Sequence, residues 1–400
     1  MKISSLVIPA ATAVILCGSG AVQAGSPAVS DVTVFDKDVI VEETSGLTLE
    51  KAFDFLWGVP VIYENEDNPY LQKVAFTGRY HGQLWGLNSD FGSASGWENR
   101  RQRFGGVVEF LETFEAAITF NLNFDGETTG RFVEDYEDFK VRWRPSKLFN
   151  LQVGLYKVPI TNEWRESSNR IVTIERSNFI NTAVPNKLGG ILATGEFATG
   201  EESGVTYGAG VYSATRDDDW AYPTFDGGAV YYSGVGYNFN EHHLVRFDNG
   251  FTSDSPENNA VRPYSYTAAL SYEGSFLDGR LGLQSDLVTA IGEDDQPDLF
   301  GIIILPTFDL TEKVQLVGRY QYLVSNEDNG VRLQSRYERR APDLPTTSGN
   351  NYHALYGGMN YYIYKDRLKV MYGMEYSHLE LQRGGGFNSL TIVGAVRVWF

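Results

Sequence analysis

The last fourteen residues, Phe387 to Phe400, read FNSLTIVGAVRVWF and constrain the fold more than any other stretch. Leu390, Ile392, Gly394, Val396, Val398 and Phe400 fall on one face at period two, and Thr391, Val393, Ala395, Arg397 and Trp399 fall on the other. Side chains alternate across a strand, so one face is apolar and the other mixed. Such a strand needs a partner on each edge. A closed barrel supplies both, because the final strand pairs with its predecessor and with the first strand. A terminal Phe on this strand resembles the C-terminal signal of bacterial outer-membrane barrels. A soluble sandwich would leave the same strand as an apolar edge.

The first residues read as a secretory leader: Lys2, an apolar run from Leu6 to Leu16, and the small-residue cleavage site Val22-Gln23-Ala24. Cys17 is the only cysteine, and Leu16 before it is too large for a lipid-anchoring site. Cleavage after Ala24 leaves no cysteine, which excludes disulfides and thiol chemistry. The most apolar later run, Leu299 to Leu305, has the length of a strand and not of a membrane-spanning helix. Aromatics make up 14% of the chain and glycine stands at 42, with no apolar 20-mer. That combination fits a membrane barrel with an apolar outer face and a wet lumen. The net charge of −18 argues against nucleic-acid partners.

After the leader, residues 25–71 read as a periplasmic extension, expected to be a poorly ordered tail. A short amphipathic helix is predicted over Leu47–Trp57 with Ser45 as its N-cap. From Gln72 to the end, residues 72–400 read as an all-β transmembrane antiparallel barrel of about sixteen strands, at roughly twenty residues per strand and connection. Short connections (Glu112-Thr113, Pro145–Phe149, Ala198–Glu202, Asn240–His242, Phe276–Gly279, Thr311-Glu312, Tyr364–Asp366) alternate with others, among them Leu87–Asn99, Val158–Lys187, Thr215–Gly227, Thr252–Arg262 and Ser325–Asn350. Short periplasmic turns and longer outer loops are the mark of a bacterial barrel.

The loop Val158–Lys187 is the longest, and a loop of that length in a compact barrel is usually functional. Its Ile160, Trp164, Ile171, Ile174 and Phe179 are interleaved with Glu163, Arg165, Glu166, Ser167, Ser168, Arg170, Glu175 and Arg176. Folding inward against the wall would bury the apolar residues and set the polar ones at the narrowest point. Arg79, Arg101, Arg103, Lys140, Arg142 and Arg144 alternate with apolar residues on early strands. A lipid-facing Arg near the midplane costs about 2–4 kcal/mol, which directs these bases into the lumen or toward its ends. The expected constriction set is therefore Arg79, Arg101, Arg103, Arg142, Lys157, Arg165, Ser167, Ser168, Arg170 and Arg176. The opposing reading pairs these bases with loop acids such as Glu163 and Glu166.

Four segments resemble one family. Arg100-Arg101-Gln102-Arg103-Phe104-Gly105-Gly106 is similar to its double-arginine start of the second strand. Leu151-Gln152-Val153-Gly154-Leu155-Tyr156-Lys157-Val158-Pro159 resembles its "VGQFKVP" segment. Ile174-Glu175-Arg176-Ser177 matches "IERS", and Lys187-Leu188-Gly189-Gly190 resembles the start of the strand after its long loop. These are segments of the phosphate-selective porin O and P family of Gram-negative outer membranes. The resemblance implies a sixteen-stranded, trimeric porin. It leaves the solute open, since 33 Lys and Arg against 51 Asp and Glu depart from an arginine ladder built for phosphate.

The expected function is thus passive diffusion of small anionic solutes, phosphate or other oxyanions among them. Lipid bilayer, lipopolysaccharide and two further copies of the chain are the expected partners, and no cofactor or metal is needed. A general or cation-leaning porin is the alternative that the charge balance favours. A barrel enzyme is the other, but His81, His242, His243, His353 and His378 show no catalytic spacing. The acid runs Asp217-Asp218-Asp219 and Glu293-Asp294-Asp295 read as solvated loop charge, with cation-bridged lipopolysaccharide as a second reading.

Overall fold

In the computed structural model the described residues are 48–124, 132–214, 225, 227–253, 264–382 and 384–400. A short helix, α1 (Leu49–Gly58), and a short strand, β1 (Val61–Glu64), precede the barrel. The early wall is β2 (Leu71–Ser89), β3 (Gly92–Phe110), β4 (Phe114–Leu122), β5 (Val133–Ser146) and β6 (Phe149–Lys157). The helices α2 (Asn162–Arg165) and α3 (Asn178–Ala183) follow. The wall resumes with β7 (Lys187–Ala198), β8 (Gly204–Ser213), β9 (Ala229–Asn240), β10 (His243–Thr252), β11 (Tyr266–Phe276), β12 (Leu281–Ile291), β13 (Leu299–Thr311) and β14 (Val314–Ser325). A two-residue strand β15 (Val331–Arg332) and a 3-10 turn (Glu338–Arg340) lie before β16 (Ser348–Tyr364), β17 (Leu368–Leu381) and β18 (Gly386–Trp399). Setting aside the accessory β1 and β15, sixteen antiparallel strands close into a barrel.

Closure follows the terminal strand. β18 pairs with β2 from Ser389↔Ser89 to Trp399↔Arg79. Phe400 and Gly78 then exchange two backbone hydrogen bonds of 3.0 Å. The Phe400 ring lies over Gly78, where a Cβ would fall 2.3 Å from ring carbon, so any side chain here would push the ring aside. Leu390 and Val396 face outward, whereas Thr391, Val393, Ala395 and Arg397 are buried inside, as the alternation requires. At the turn end of β3–β6, the rings of Phe110, Phe114, Trp143 and Phe149 run in sequence at centroid distances of 5.4, 6.2 and 6.0 Å. Such aromatic girdles mark the membrane interface of barrels.

Two expectations are corrected. Leu87–Asn99 is no loop: β2 and β3 run through it to a two-residue turn at Asp90-Phe91. The turn is set by Gly92 at φ +99°, by Ser89 Oγ donating to the Gly92 carbonyl (2.7 Å), and by Asn388 N donating to Asp90 Oδ2 (3.1 Å). The Gly- and Ser-rich composition there is that of a smooth ladder rather than of a loop.

The described part of the N-terminal extension is docked, not a loose tail. The N-cap of α1 is Thr48; Ser45, like the leader, lies outside the described residues. Phe53 and Trp57, one helical turn apart, pack on Tyr364 at 5.1 and 4.9 Å. Trp57 Nε1 donates to the Trp399 carbonyl (2.6 Å), and Tyr364 donates to Asp54. β1 pairs with β2 at Val61↔Ala75 and Glu64↔Lys73, just below where β18 ends, and so covers an edge that would otherwise be open. The connections around 125–131 and 254–263, and the acid run Asp217–Asp219, also fall outside the described residues.

Candidate functional site

The connection between β6 and β7 folds into the lumen. Val158, Ile160, Ile171, Ile174 and Phe179 are all buried, as their apolar character on a loop demands. Trp164 packs half-buried against the same core. The loop is pinned to the far wall by polar contacts. Asn162 N donates to Asp286 Oδ1 on β12 (3.1 Å), and Arg165 donates to Tyr232 Oη (2.9 Å) on β9 and to Asp248 on β10. Asn178 N donates to Gln321 Oε1 on β14 (2.7 Å). Arg319, also on β14, donates to Glu163 Oε1 (2.9 Å) and to the Glu175 carbonyl (2.8 Å). Lys369 on β17 donates to the Ile171 carbonyl (3.2 Å), and Arg397 on β18 donates to the carbonyls of Ile171 and Ile174.

With the loop held there, a recess of about 620 Å³ remains between it and the near wall of β2, β3, β5, β6 and β7. Nine of the ten residues expected at the constriction line it: Arg79, Arg101, Arg103, Arg142, Lys157, Arg165, Ser167, Ser168 and Arg176. Arg170 is the correction. It is exposed and lies 3.6 Å from Asp366, in the turn between β16 and β17, so it faces the turn end of the barrel. Sequence reasoning left Arg100, Lys140 and Lys187 off the constriction set, though they line the recess too. The spacing was legible for Lys140, which alternates with outward Phe139 and Val141.

The recess carries ten Arg and Lys against Glu137, Asp138 and Glu175, a formal excess of seven positive charges. Some bases are neutralised. Arg103 pairs with Glu137 (2.8 Å), Lys187 with Glu137 (2.5 Å) and Asp138 (2.9 Å), Arg100 with Glu175 (2.6 Å), and Arg142 with Glu115 (3.3 Å). Arg79, Arg101, Lys140, Lys157 and Arg176 make no ion pair among the described residues. Arg79 donates instead to Ser168 Oγ, and Arg101 Nη1 lies 3.3 Å from His81 Nδ1. Lys157 Nζ donates to the carbonyls of Trp164 (2.8 Å) and Glu166 (2.7 Å). Arg176 donates to those of Glu163 (2.8 Å) and Glu166 (2.7 Å). Both cations lie 5.0 Å from the Trp164 ring centroid.

The expected cancellation by loop acids is therefore partial. Glu163 is spent on Arg319 and on Ser177 N (3.0 Å), and the Glu166 carboxylate accepts from Ser167 N (2.8 Å). Among the described acids of this loop, only Glu175 forms an ion pair with a base that lines the recess. Burial alone would raise the Glu175 carboxyl, but Arg100 and Arg101 outweigh it and hold it well below the usual carboxylate range. Burial pulls the Arg176 guanidinium down to about 10, against the opposing pull of Glu163 and Glu175, so it stays charged at neutral pH.

The loop between β14 and β16 also turns inward, above this assembly. Val331 and Leu333 are fully buried. Gln83 Nε2 donates to Tyr337 Oη (2.6 Å), and Arg336 pairs with Glu98. Glu338 is buried and accepts from Gln334 N (2.6 Å) and Tyr352 Oη (2.8 Å). Among the described residues no cluster of three or more His, Cys, Asp or Glu is placed to hold a metal ion.

Comparison with known proteins agrees with this geometry. Residues 74–255 match the family model "Phosphate-selective porin O and P". No curated protein matches the chain. Among solved structures, OmpF of Salmonella typhi in complex with daunomycin aligns at TM-score 0.56 and 10% identity, over 85% of this chain and 100% of its own. The anion-selective porin of Comamonas acidovorans aligns at TM-score 0.55 and 12% identity, over 82% and 99%. The outer-membrane channel DcaP of Acinetobacter baumannii aligns at 0.54 and 9%, over 85% and 100%. Identities this low speak for the fold alone. The chain thus matches the phosphate-selective porin O and P family over residues 74–255, on a closed sixteen-stranded barrel of the outer-membrane porin fold.

Proposed function

We propose that this outer-membrane channel passes small anionic solutes, phosphate or other oxyanions among them, by passive diffusion along the recess. The observation that carries this reading is the excess of seven positive charges lining the recess, with five bases free of any described ion pair. In a narrow, low-dielectric throat field lines focus, so local bases govern permeation. Distant loop acids are screened within about 8–10 Å at physiological salt, which is why a net charge of −18 does not decide the selectivity. The test is the reversal potential in planar bilayers under a KCl gradient. Anion preference is expected, reduced in Arg79→Gln and Lys157→Gln. A wild-type pore that prefers cations overturns the proposal.

Further parts of the reading rest on sequence. The leader is proposed to be cleaved after Ala24 and residues 25–71 to form a periplasmic extension, which N-terminal sequencing of the mature protein tests. The apolar outer face is proposed to meet lipid and, at its outer rim, lipopolysaccharide. Family resemblance supports a homotrimer; light scattering that finds only monomer in mild detergent would refute it. The match to a porin family over residues 74–255 makes a channel, rather than an enzyme, the reading to test first.

A further inference from the structure

The recess is not uniformly polar. Beside the bases Arg79 and Arg101, which make no described ion pair, its lining includes Tyr156, Ile180, Val184 and Leu192. Ile180 and Val184 come from the inward loop, Tyr156 and Leu192 from the adjoining wall strands β6 and β7. All four belong to, or pack against, one hydrophobic cluster, and each still reaches the recess. A pore serving only hydrated inorganic ions has no use for such a ledge, because apolar surface there gives an ion nothing in exchange for lost water. At about 620 Å³ the recess falls within the roughly 300–1,000 Å³ of small-molecule sites, which combine an apolar lining with a few charged groups.

We infer that the recess is a subsite for organic anions: solutes with one carboxylate and an apolar, preferably planar, body. The carboxylate takes the Arg79 and Arg101 side, and the body lies on the Ile180–Leu192 ledge. Arg guanidinium groups suit a carboxylate through their planar fork. The inference rests on the proposed anion preference but makes a separate demand, since it concerns the uncharged half of the solute.

The test uses the full-length protein in planar bilayers and measures half-block of the chloride current by sodium benzoate and by sodium acetate. Both carry one charge, so their ratio isolates the apolar body. Benzoate is expected to half-block at about a tenfold lower concentration, the effect of taking one face of an aromatic ring out of water. Leu192→Asn should bring the ratio toward one, and the milder Leu192→Ala should lower it part of the way. Equal half-block by the two acids in the wild type overturns the inference, as does a block by inorganic phosphate tighter than that by benzoate. A reversal potential favouring cations instead would refute the anion reading beneath it, a different and separately measured failure.

Discussion

Replacing Arg319 with Met should free the inward loop. Arg319 is 3% exposed and holds three acceptors: Glu163 Oε1 at 2.9 Å, the Glu175 carbonyl at 2.8 Å and Glu375 Oε2 at 2.8 Å. Methionine fills much of the space but leaves the buried Glu163 carboxylate and the partly buried Glu375 carboxylate without their cation. Removing one partner of a buried pair costs about 3–5 kcal/mol. Two of the three acceptors belong to the loop, so most of that cost falls on its docking. At about 1.4 kcal/mol per tenfold, the undocked population rises by roughly two to three and a half powers of ten. A loop undocked in one channel in ten thousand would then be undocked in one per cent or more of them. Single-channel records should show this as flicker to a state of higher conductance, absent from wild type. Combining Arg319→Met with Glu163→Gln removes one stranded charge and should quieten the flicker relative to the single variant, because sites in one network couple. An Arg319→Met channel as quiet as wild type, or a double variant noisier than the single one, would refute the reasoning.

Three further outcomes follow from the same contacts. Arg165→Ala strands the fully buried Asp248 and should also loosen the loop, with Asp248→Asn in the same chain restoring a quiet channel in bilayer recordings. Burial raises the Glu338 carboxyl to about 7, with Glu375 adding to the rise and Ser377, Gln334 N and Tyr352 opposing it. Its folded value lies above the ordinary one near 4.5, so its contribution to holding the 326–347 loop is complete below about pH 4.5 and is lost as pH rises through 7. Limited proteolysis of that loop should increase between about pH 4.5 and 7 in wild type and stay flat in Glu338→Gln. Deleting Phe400 removes two closure hydrogen bonds, and Gly78→Val drives a side chain into the Phe400 ring; both should lower the yield of heat-modifiable barrel in outer-membrane fractions.

The barrel was legible because alternation is local. Each strand of the early wall announces its own faces, and the bases on it could be assigned to the lumen one strand at a time. The inward loop was legible for a related reason, since Ile160, Ile174 and Phe179 have no stable place in water. What could not be read was which wall the loop would choose. Arg319, Lys369 and Arg397 grip it from positions 144 to 226 residues away in sequence, and no local pattern records that meeting. Arg170 was misplaced for the same reason, because its neighbour Asp366 lies in a distant turn. The Leu87–Asn99 stretch differs in kind: its glycines and serines are rungs of a long hairpin, although the same residues elsewhere punctuate loops.

The docking of α1 and β1 carries a consequence for assembly. The surface that receives them consists of Tyr364, the Trp399 carbonyl and the stretch of β2 that β18 leaves bare, and those parts come together only when the last strand meets the first. The segment synthesised ahead of the barrel is therefore settled after it, and works as a latch on a finished cylinder. A chain whose ends have not met offers that latch only half its catch, so protection of Trp57 together with that of the β1–β2 backbone reports completed closure rather than strand formation.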